Sequence, residues 1–566
     1  MNHKPLPIGI DNFETIISDD YYFVDKSLLI RELIENKAAV NLFTRPRRFG
    51  KTLNISMIKY FFEDERDWYD GTKKENSYLF RGLKIMNAGE EYISKMGKYP
   101  VINLSLKSAK QGSFELALHC LKEEISNEFK RHQYILKDER LADEREKFMK
   151  IAGENGDISF YITSLRYLSE CLAKHFNMKV IILIDEYDVP LENSFFRGFY
   201  GEMVDFLRSL FESALKTNPY LEFAVMTGCL RISKESIFTG LNNLKMISIL
   251  NDRYDEYFGF TDNEVEKICA DYNMTDKYKV IKEWYNGYMF GNENVYNPWS
   301  VMQYIDDLTA NINKLPSSYW ANTSSNSIVK SFIERADDET KSEIEDLIAG
   351  KSIEKPVHED ITYDEIYKST DNLYNFLFFT GYFKKVNERI DESTQEKYLE
   401  LKIPNKEVKY IFRNKVLNWF DEKIKNKDFS EIYTAIINKD VEIFEEKLAD
   451  ILLETISFND AYENFYHGFL TGILSNMKGY IVKSNRESGK GRGDIVIKSV
   501  SRRGPAVILE LKVADRFNDL DKKADDALKQ IEEKKYEMEL IDDGYKNIIK
   551  YGISFYRKDC VIKIKE

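Results

Sequence analysis

Near the C-terminus, Arg492-Gly493-Asp494-Ile495-Val496-Ile497 is followed by Ile508-Leu509-Glu510-Leu511-Lys512: one acid, then an acid and a lysine two residues apart. Side chains alternate along a strand, so Glu510 and Lys512 share a face, and Asp494 opening the neighbouring strand brings a second carboxylate beside Glu510. Two carboxylates can hold a divalent metal that activates water and stabilises a charged, phosphorane-like transition state, while a cation orients the nucleophile. That is equipment for phosphodiester hydrolysis, with Lys512 as the cation. The Glu-Leu-Lys triplet alone describes a solvated strand face equally well. Lys483, Arg486, Lys490 and Arg492, with Arg502 and Arg503 beyond, either hold phosphate backbone or solvate a hairpin. His467 is read as a structural histidine or as a group near the scissile phosphate.

A second chemical centre lies near the N-terminus. Thr44-Arg45-Pro46-Arg47-Arg48-Phe49-Gly50-Lys51-Thr52 follows an apolar run ending at Phe43 and precedes a helical pattern, Leu53 to Phe62. In a phosphate-binding loop (P-loop), backbone N–H groups and the helix N-terminus cradle phosphate, the lysine reaches the outer phosphates and the hydroxyl ligates magnesium. Gly50, Lys51 and Thr52 fit. Arg45 stands where GxxxxGK[ST] has its first glycine, so the loop must turn without it. Arg45, Arg47 and Arg48 can neutralise triphosphate charge; the bland alternative is a basic helix entrance that binds nothing. The run Lys179 to Ile184 ends in Asp185 and Glu186, as expected for a buried strand delivering acids to the sheet edge where ligands bind. Asp185 is expected to coordinate magnesium and Glu186 to polarise the attacking water. Thr227, ending a third run, is a candidate γ-phosphate sensor, and Arg231 or Arg253 a candidate arginine finger. ATP and Mg2+ are the cofactors these residues call for.

The elements that must position these residues follow from periodicity. Ala38 to Phe43, Val101 to Leu106, Val180 to Ile184 and Glu222 to Met226 read as buried strands alternating with helices such as Ile158 to His175, which predicts an α/β domain over 1–305. From 306 to 455 helical patterns dominate, forming a connector. Within it Asp371 to Phe383 reads as an apolar helix, followed by a hairpin made of Lys384 to Glu388, a polar turn, and Tyr398 to Ile403. That pattern suits a winged helix and equally a small α+β lid. The third domain, 456–566, reads as a helix to about Met477, strands Tyr480 to Lys483, Asp494 to Lys498 and Ala506 to Val513, a helix Asp519 to Leu540 and a strand Tyr551 to Tyr556.

Several segments together resemble a known family. Pro7-Ile8-Gly9-Ile10 with Phe13, Tyr22-Phe23-Val24-Asp25-Lys26, Arg45 to Thr52, Asp185-Glu186-Tyr187-Asp188, and Thr227-Gly228 through Phe238 with Leu241-Asn242-Asn243-Leu244 look like the bacterial AAA-ATPase-like family. Members usually carry a C-terminal PD-(D/E)XK nuclease domain, and Asp494, Glu510 and Lys512 resemble its core, with Gly493 in place of the proline. The likeness covers roughly 5–305 and 460–560. It implies a P-loop AAA-like ATPase domain, a C-terminal α/β restriction-endonuclease-like domain, and a bacterial source. In that family the loop typically reads RPRRFGK, so Arg45 is no defect. It further implies that Glu463, in Glu463-Asn464-Phe465-Tyr466-His467, is a helical acid and additional metal ligand, and that Gln530, with Tyr536, is an accessory group hydrogen-bonding substrate or water.

Composition sets the outer limits. With 566 residues, 43% hydrophobic and 31% charged, the chain is a globular protein of several domains and not a disordered one. A net charge of −13 leaves any polyanion to local basic patches and metal ions. Five dispersed cysteines without a CxxC pair argue against a disulfide framework and a thiolate zinc site, and the N-terminus lacks a signal-peptide core. The expectation is a cytoplasmic, ATP-regulated, magnesium-dependent nuclease without a membrane partner, acting on DNA in preference to RNA, with homo-oligomerisation left open. The rivals are a nucleotide-dependent switch or scaffold with a non-cleaving nuclease fold, and an RNase effector.

Overall fold

The β-branched runs of the N-terminal region are strands with both faces covered, as a parallel sheet requires. β1 (Val40–Thr44), β2 (Val101–Ser105), β3 (Val180–Asp185) and β4 (Leu221–Gly228) are joined by β5 (Leu244–Ile247) in the order β2-β3-β4-β1-β5, with every neighbouring pair parallel. Every residue of β1 and β3 is buried. The structure, a computed structural model, describes residues 3–230, 237–238, 242–320, 327–359, 362–425, 428–453, 462–475, 477–484 and 494–565, leaving aside the side chains of 327, 338, 364, 417–425 and 462–465. It divides into two units, Met1–Ser325 with Glu354–Val408, and Asn326–Ile353 with Lys409–Glu566. The stretch 306–455, expected as a connector, is thereby shared between them.

The first unit also holds a three-stranded antiparallel sheet, β6 (Phe260–Thr261), β7 (Tyr288–Phe290) and β8 (Glu293–Tyr296), in the order β6-β8-β7. A further small sheet, order β10-β11-β9, comprises β9 (Ile353–Pro356), which begins at the unit boundary, and the hairpin of β10 (Lys384–Ile390) and β11 (Lys397–Lys402). Before the hairpin stands the helix Thr370–Phe379, shorter than expected, and Lys384 to Glu388 lies in the first strand of the expected hairpin.

In the second unit the sheet runs β12 (Tyr480–Ser484), β13 (Ile495–Ser499), β14 (Ala506–Val513), β15 (Ile548–Tyr556), β16 (Asp559–Lys565), all antiparallel except β14 and β15. A parallel pair needs a crossover, supplied here by the helix Leu520–Lys534. That helix lies close on the sheet because β15 carries Gly552, where a Cβ would come within 2.3 Å of the Ala524 carbonyl oxygen. Helices from the middle of the chain pack on the same sheet: Tyr551 Oη donates to Ile436 O at 2.8 Å, and the Ile562 N–H to Glu445 Oε2 at 2.7 Å.

Candidate active sites

At the end of β1 the chain turns into the P-loop, and the helix Lys51–Phe62 starts after Gly50, whose φ of 79° lies in the left-handed region that glycine adopts without strain. The loop manages without its first glycine because Arg45 is a strut. Its guanidinium is fully buried, donates to the carbonyls of Thr44 at 3.0 Å and Ile247 at 2.9 Å, and lies 5.2 Å from the ring centroids of both Phe258 and Phe290. Burial lowers its pKa to about 9. Arg45, expected to neutralise phosphate, here gives its terminal N–H groups to main-chain carbonyls and lies between two aromatic rings. Phe49 is also buried, with its ring 4.9 Å from that of Tyr288 and 5.1 Å from that of Phe290. Arg47 pairs with Glu192, and exposed Arg48 stacks over Trp299 at 4.3 Å.

Lys51, Thr52, Asp185 and Thr227 come together across β4. The Lys51 ammonium donates to Arg45 O at 2.9 Å and Pro46 O at 2.8 Å, with Cys229 Sγ at 3.7 Å. Asp185 accepts at one oxygen from Thr52 Oγ1 at 2.7 Å and at the other from the Thr227 hydroxyl. A buried carboxylate bridging two hydroxyls is a hard-oxygen donor set that fits a magnesium ion. Glu186 leaves the strand at φ 53°, a left-handed conformation that costs about 1 kcal/mol for a residue with a Cβ. Its pKa is raised by burial and then by the charge of Asp185, with Lys51 opposing. Arg253 is bonded to Asn36, and Arg231 lies outside the described residues.

Two residues here were not singled out as functional by sequence reasoning. Asp188, 3% exposed, accepts from the backbone N–H groups of Cys229 at 2.7 Å and Leu230 at 3.1 Å, and Tyr187 donates to Leu230 O, so both tie the turn after β4 to the acidic motif. Gly228 makes room for them, since a Cβ there would lie 2.4 Å from the Tyr187 ring. The acidic spacing Asp185-Glu186-Tyr187-Asp188 was the available signal, but it does not reveal which acid faces which element.

In the second unit the antiparallel register continues from Ile495 opposite Leu509 to set Asp494 beside Glu510. The Asp494 N–H donates to Glu510 Oε2 at 3.3 Å, and Asp494 Oδ2 accepts from the Leu511 N–H at 2.9 Å. Lys512 Nζ lies 3.6 Å from Glu510 Oε1, on the same strand face. Gln530, on the crossover helix, donates to Glu510 Oε1 and lies 3.2 Å from Tyr536 Oη. Tyr536 is available because that helix ends at Lys535 (φ 52°) instead of running on to Leu540. Glu510 is 1% exposed, and burial, followed by the Asp494 charge, pushes its pKa up to about 7 against the pull of Lys512. Two acids held this close, one buried, fit a divalent cation. His467 Nε2 lies 3.0 Å from Asp494 O, which makes Nε2 the protonated nitrogen. Glu463 is on the helix Tyr462–Leu474, one turn before His467; its side chain, and Arg486, Lys490, Arg492 and Gly493, lie outside the described residues.

A loop-then-helix after an inner strand of a parallel sheet, with acids after β3, is a P-loop nucleotide-binding construction, and the mixed sheet with its acid-acid-lysine cluster is a restriction-endonuclease-like one. Comparison with known proteins is more particular. Residues 7–238 match the family described as "Predicted AAA-ATPase", and residues 461–565 match the PD-(D/E)XK nuclease superfamily, so the chain carries an AAA-ATPase-like domain and a C-terminal PD-(D/E)XK nuclease-superfamily domain. These domains suggest use of a nucleotide and a divalent metal, and interaction with nucleic acid. An uncharacterized protein in the vnfD 5′ region of Azotobacter chroococcum mcd 1 is 30% identical over 304 residues, 53% of this chain and 52% of that protein. The chain thus spans about half the length of that relative. Among the described residues no helix is long and apolar enough to cross a membrane.

Proposed function

We propose that this protein binds and hydrolyses ATP and is a magnesium-dependent nuclease that cleaves DNA under nucleotide control. The observation that carries the nuclease reading is the convergence of Asp494, Glu510, Lys512 and Gln530, from two strands and a helix, around one buried carboxylate. Magnesium would be held by Thr52 and Asp185 in the first unit and by Asp494 and Glu510, with Glu463, in the second, where it would supply positive charge against developing negative charge and would acidify bound water. The chain's own groups do the rest. Asp494 and Gln530 fix both oxygens of Glu510 through N–H donors, and Lys512 stands ready to orient a nucleophile and to stabilise charge on the phosphorus oxygens. In the first unit Lys51 binds the outer phosphates, Arg47 and Arg48 supply further positive charge, and Thr227 holds Asp185 in place. The raised pKa of Glu186 makes it a stronger base toward water.

The testing experiment is a cleavage assay on labelled DNA and RNA with purified full-length protein and Mg2+, with ATP, ADP or no nucleotide. Faster DNA cleavage in one nucleotide state supports the reading, because a ligand shifts a conformation only through differential affinity. Equal rates in all three states would separate the two activities. Cleavage of RNA alone would favour the RNase reading, and no cleavage of either substrate the scaffold.

A further inference from the structure

The hairpin of β10 and β11 treats its basic residues in two ways. Lys385 and Lys397 share Glu388, at 3.1 and 3.0 Å, and Arg389 is bidentate on Glu354 at 2.7 and 2.6 Å while stacking on Tyr398 at 4.5 Å. Lys384 and Lys402 are direct partners in the strand register, two like charges facing each other, and among the described residues neither has a carboxylate or hydrogen-bond partner. Like charges directly opposite destabilise a sheet, so the pair works against the fold that carries it. Both lysines are half-buried, and burial, followed by the charge of Lys402, lowers the pKa of Lys384. Beside Lys384 the chain has Gly287 at φ 100°, where a Cβ would stand 3.6 Å from Lys384 Nζ.

We propose that Lys384 and Lys402 form an anion site that takes a phosphate group, namely a backbone phosphate of the nucleic acid on which the proposed nuclease acts. The choice of anion follows from the donors. A planar carboxylate is matched by the fork of an arginine, whereas two separate ammonium point charges suit a tetrahedral phosphate whose oxygens point in different directions. Only the source of the phosphate rests on the nuclease reading. The same two lysines would equally hold a free phosphate or pyrophosphate.

The test uses full-length protein in EDTA, so that nothing is cut, and compares wild type with Lys384→Gln/Lys402→Gln and with the hairpin control Lys385→Gln/Lys397→Gln. Removing the like-charge pair should leave the protein folded, with a melting temperature equal to or above wild type. For labelled oligonucleotides, binding by the Lys384/Lys402 variant should be several-fold weaker at low salt, and the slope of log K against log salt shallower by about 1. The control should keep the wild-type slope. In a second arm, in a Lys51→Ala background so that the P-loop does not contribute, pyrophosphate should raise the melting temperature of the parent but not of the Lys384/Lys402 variant. Unchanged salt slope together with unchanged pyrophosphate stabilisation would overturn the site. Loss of the pyrophosphate effect in a protein that binds no oligonucleotide would keep the site, with free phosphate as its ligand, and remove the nuclease reading instead.

Discussion

At the P-loop four charged groups already have partners within the protein: Lys51 on two carbonyls, Asp185 on two hydroxyls, Arg47 on Glu192 and Arg45 among carbonyls and rings. In the second unit's sheet two carboxylates lie together with, among the described residues, one nearby ammonium, and Glu510 is pushed up to about 7. The first arrangement is held by hydrogen bonds that a nucleotide would exchange one for one, so its response should be to sequence changes in the loop. The second is short of positive charge, so its response should be to metal and to pH.

The largest effect should separate the two sites completely. Asp494→Ala or Glu510→Ala should lower metal-dependent cleavage by on the order of 10³-fold while ATP affinity, read by nucleotide fluorescence, stays at the wild-type value. A parallel loss of ATP affinity would break the comparison. Next, Lys51→Ala should weaken ATP binding by on the order of 10²-fold, whereas Glu186→Gln should bind ATP normally and hydrolyse it slowly, as equilibrium binding and phosphate release will distinguish.

The pH response comes third. The pKa of Glu510 is higher in the folded chain than its ordinary 4.5, so the folded state binds the extra proton between the two values, and stability falls as pH rises from about 4.5 through about 7. The decline is about 3.5 kcal/mol at most, from a rise of about 2.5 in pKa at about 1.4 kcal/mol each. Denaturant melts of the metal-free protein should follow it for the second unit, Glu510→Gln should flatten it, and Mg2+ should reverse it above pH 7. A metal-free protein equally stable at pH 5 and 8 would refute the frustrated-charge account. Arg45 and Arg48 give the finest contrast. Arg45→Met should destabilise the first unit by about 3 kcal/mol by orphaning buried carbonyls, and exposed Arg48→Ala by under about 1 kcal/mol, both read from thermal melts.

Much of this was legible in the sequence where one property decided the outcome. β1 to β4 and β14 announced themselves as apolar runs, and Ala506 to Val513 matches its expected span. Glu510 and Lys512 share a face as period two requires. β5 escaped because Leu244-Lys245-Met246-Ile247 is half-exposed and short, and β16 because its apolar residues alternate with lysines near the chain end. The role of Arg45 could not be read, since a buried arginine and a phosphate-binding one look alike until Phe258 and Phe290, over two hundred residues away, are seen to flank it. Gly552 was silent for the same reason: its lack of a side chain matters only because a helix rests on it and brings Gln530 to Glu510.

The central claim is that the second unit cuts a phosphodiester with Lys512 acting on the reaction and not on binding. Single-turnover cleavage of labelled DNA by wild type and Lys512→Ala, with ATP and saturating Mg2+ and with binding measured in parallel, tests it most directly. The account predicts cleavage by the wild type, a loss of at least about a hundredfold in Lys512→Ala, and nearly equal affinity for DNA. Wild-type protein that cuts neither DNA nor RNA with Mg2+ or Mn2+ in any nucleotide state, or a Lys512→Ala variant that cuts at the wild-type rate, would contradict it.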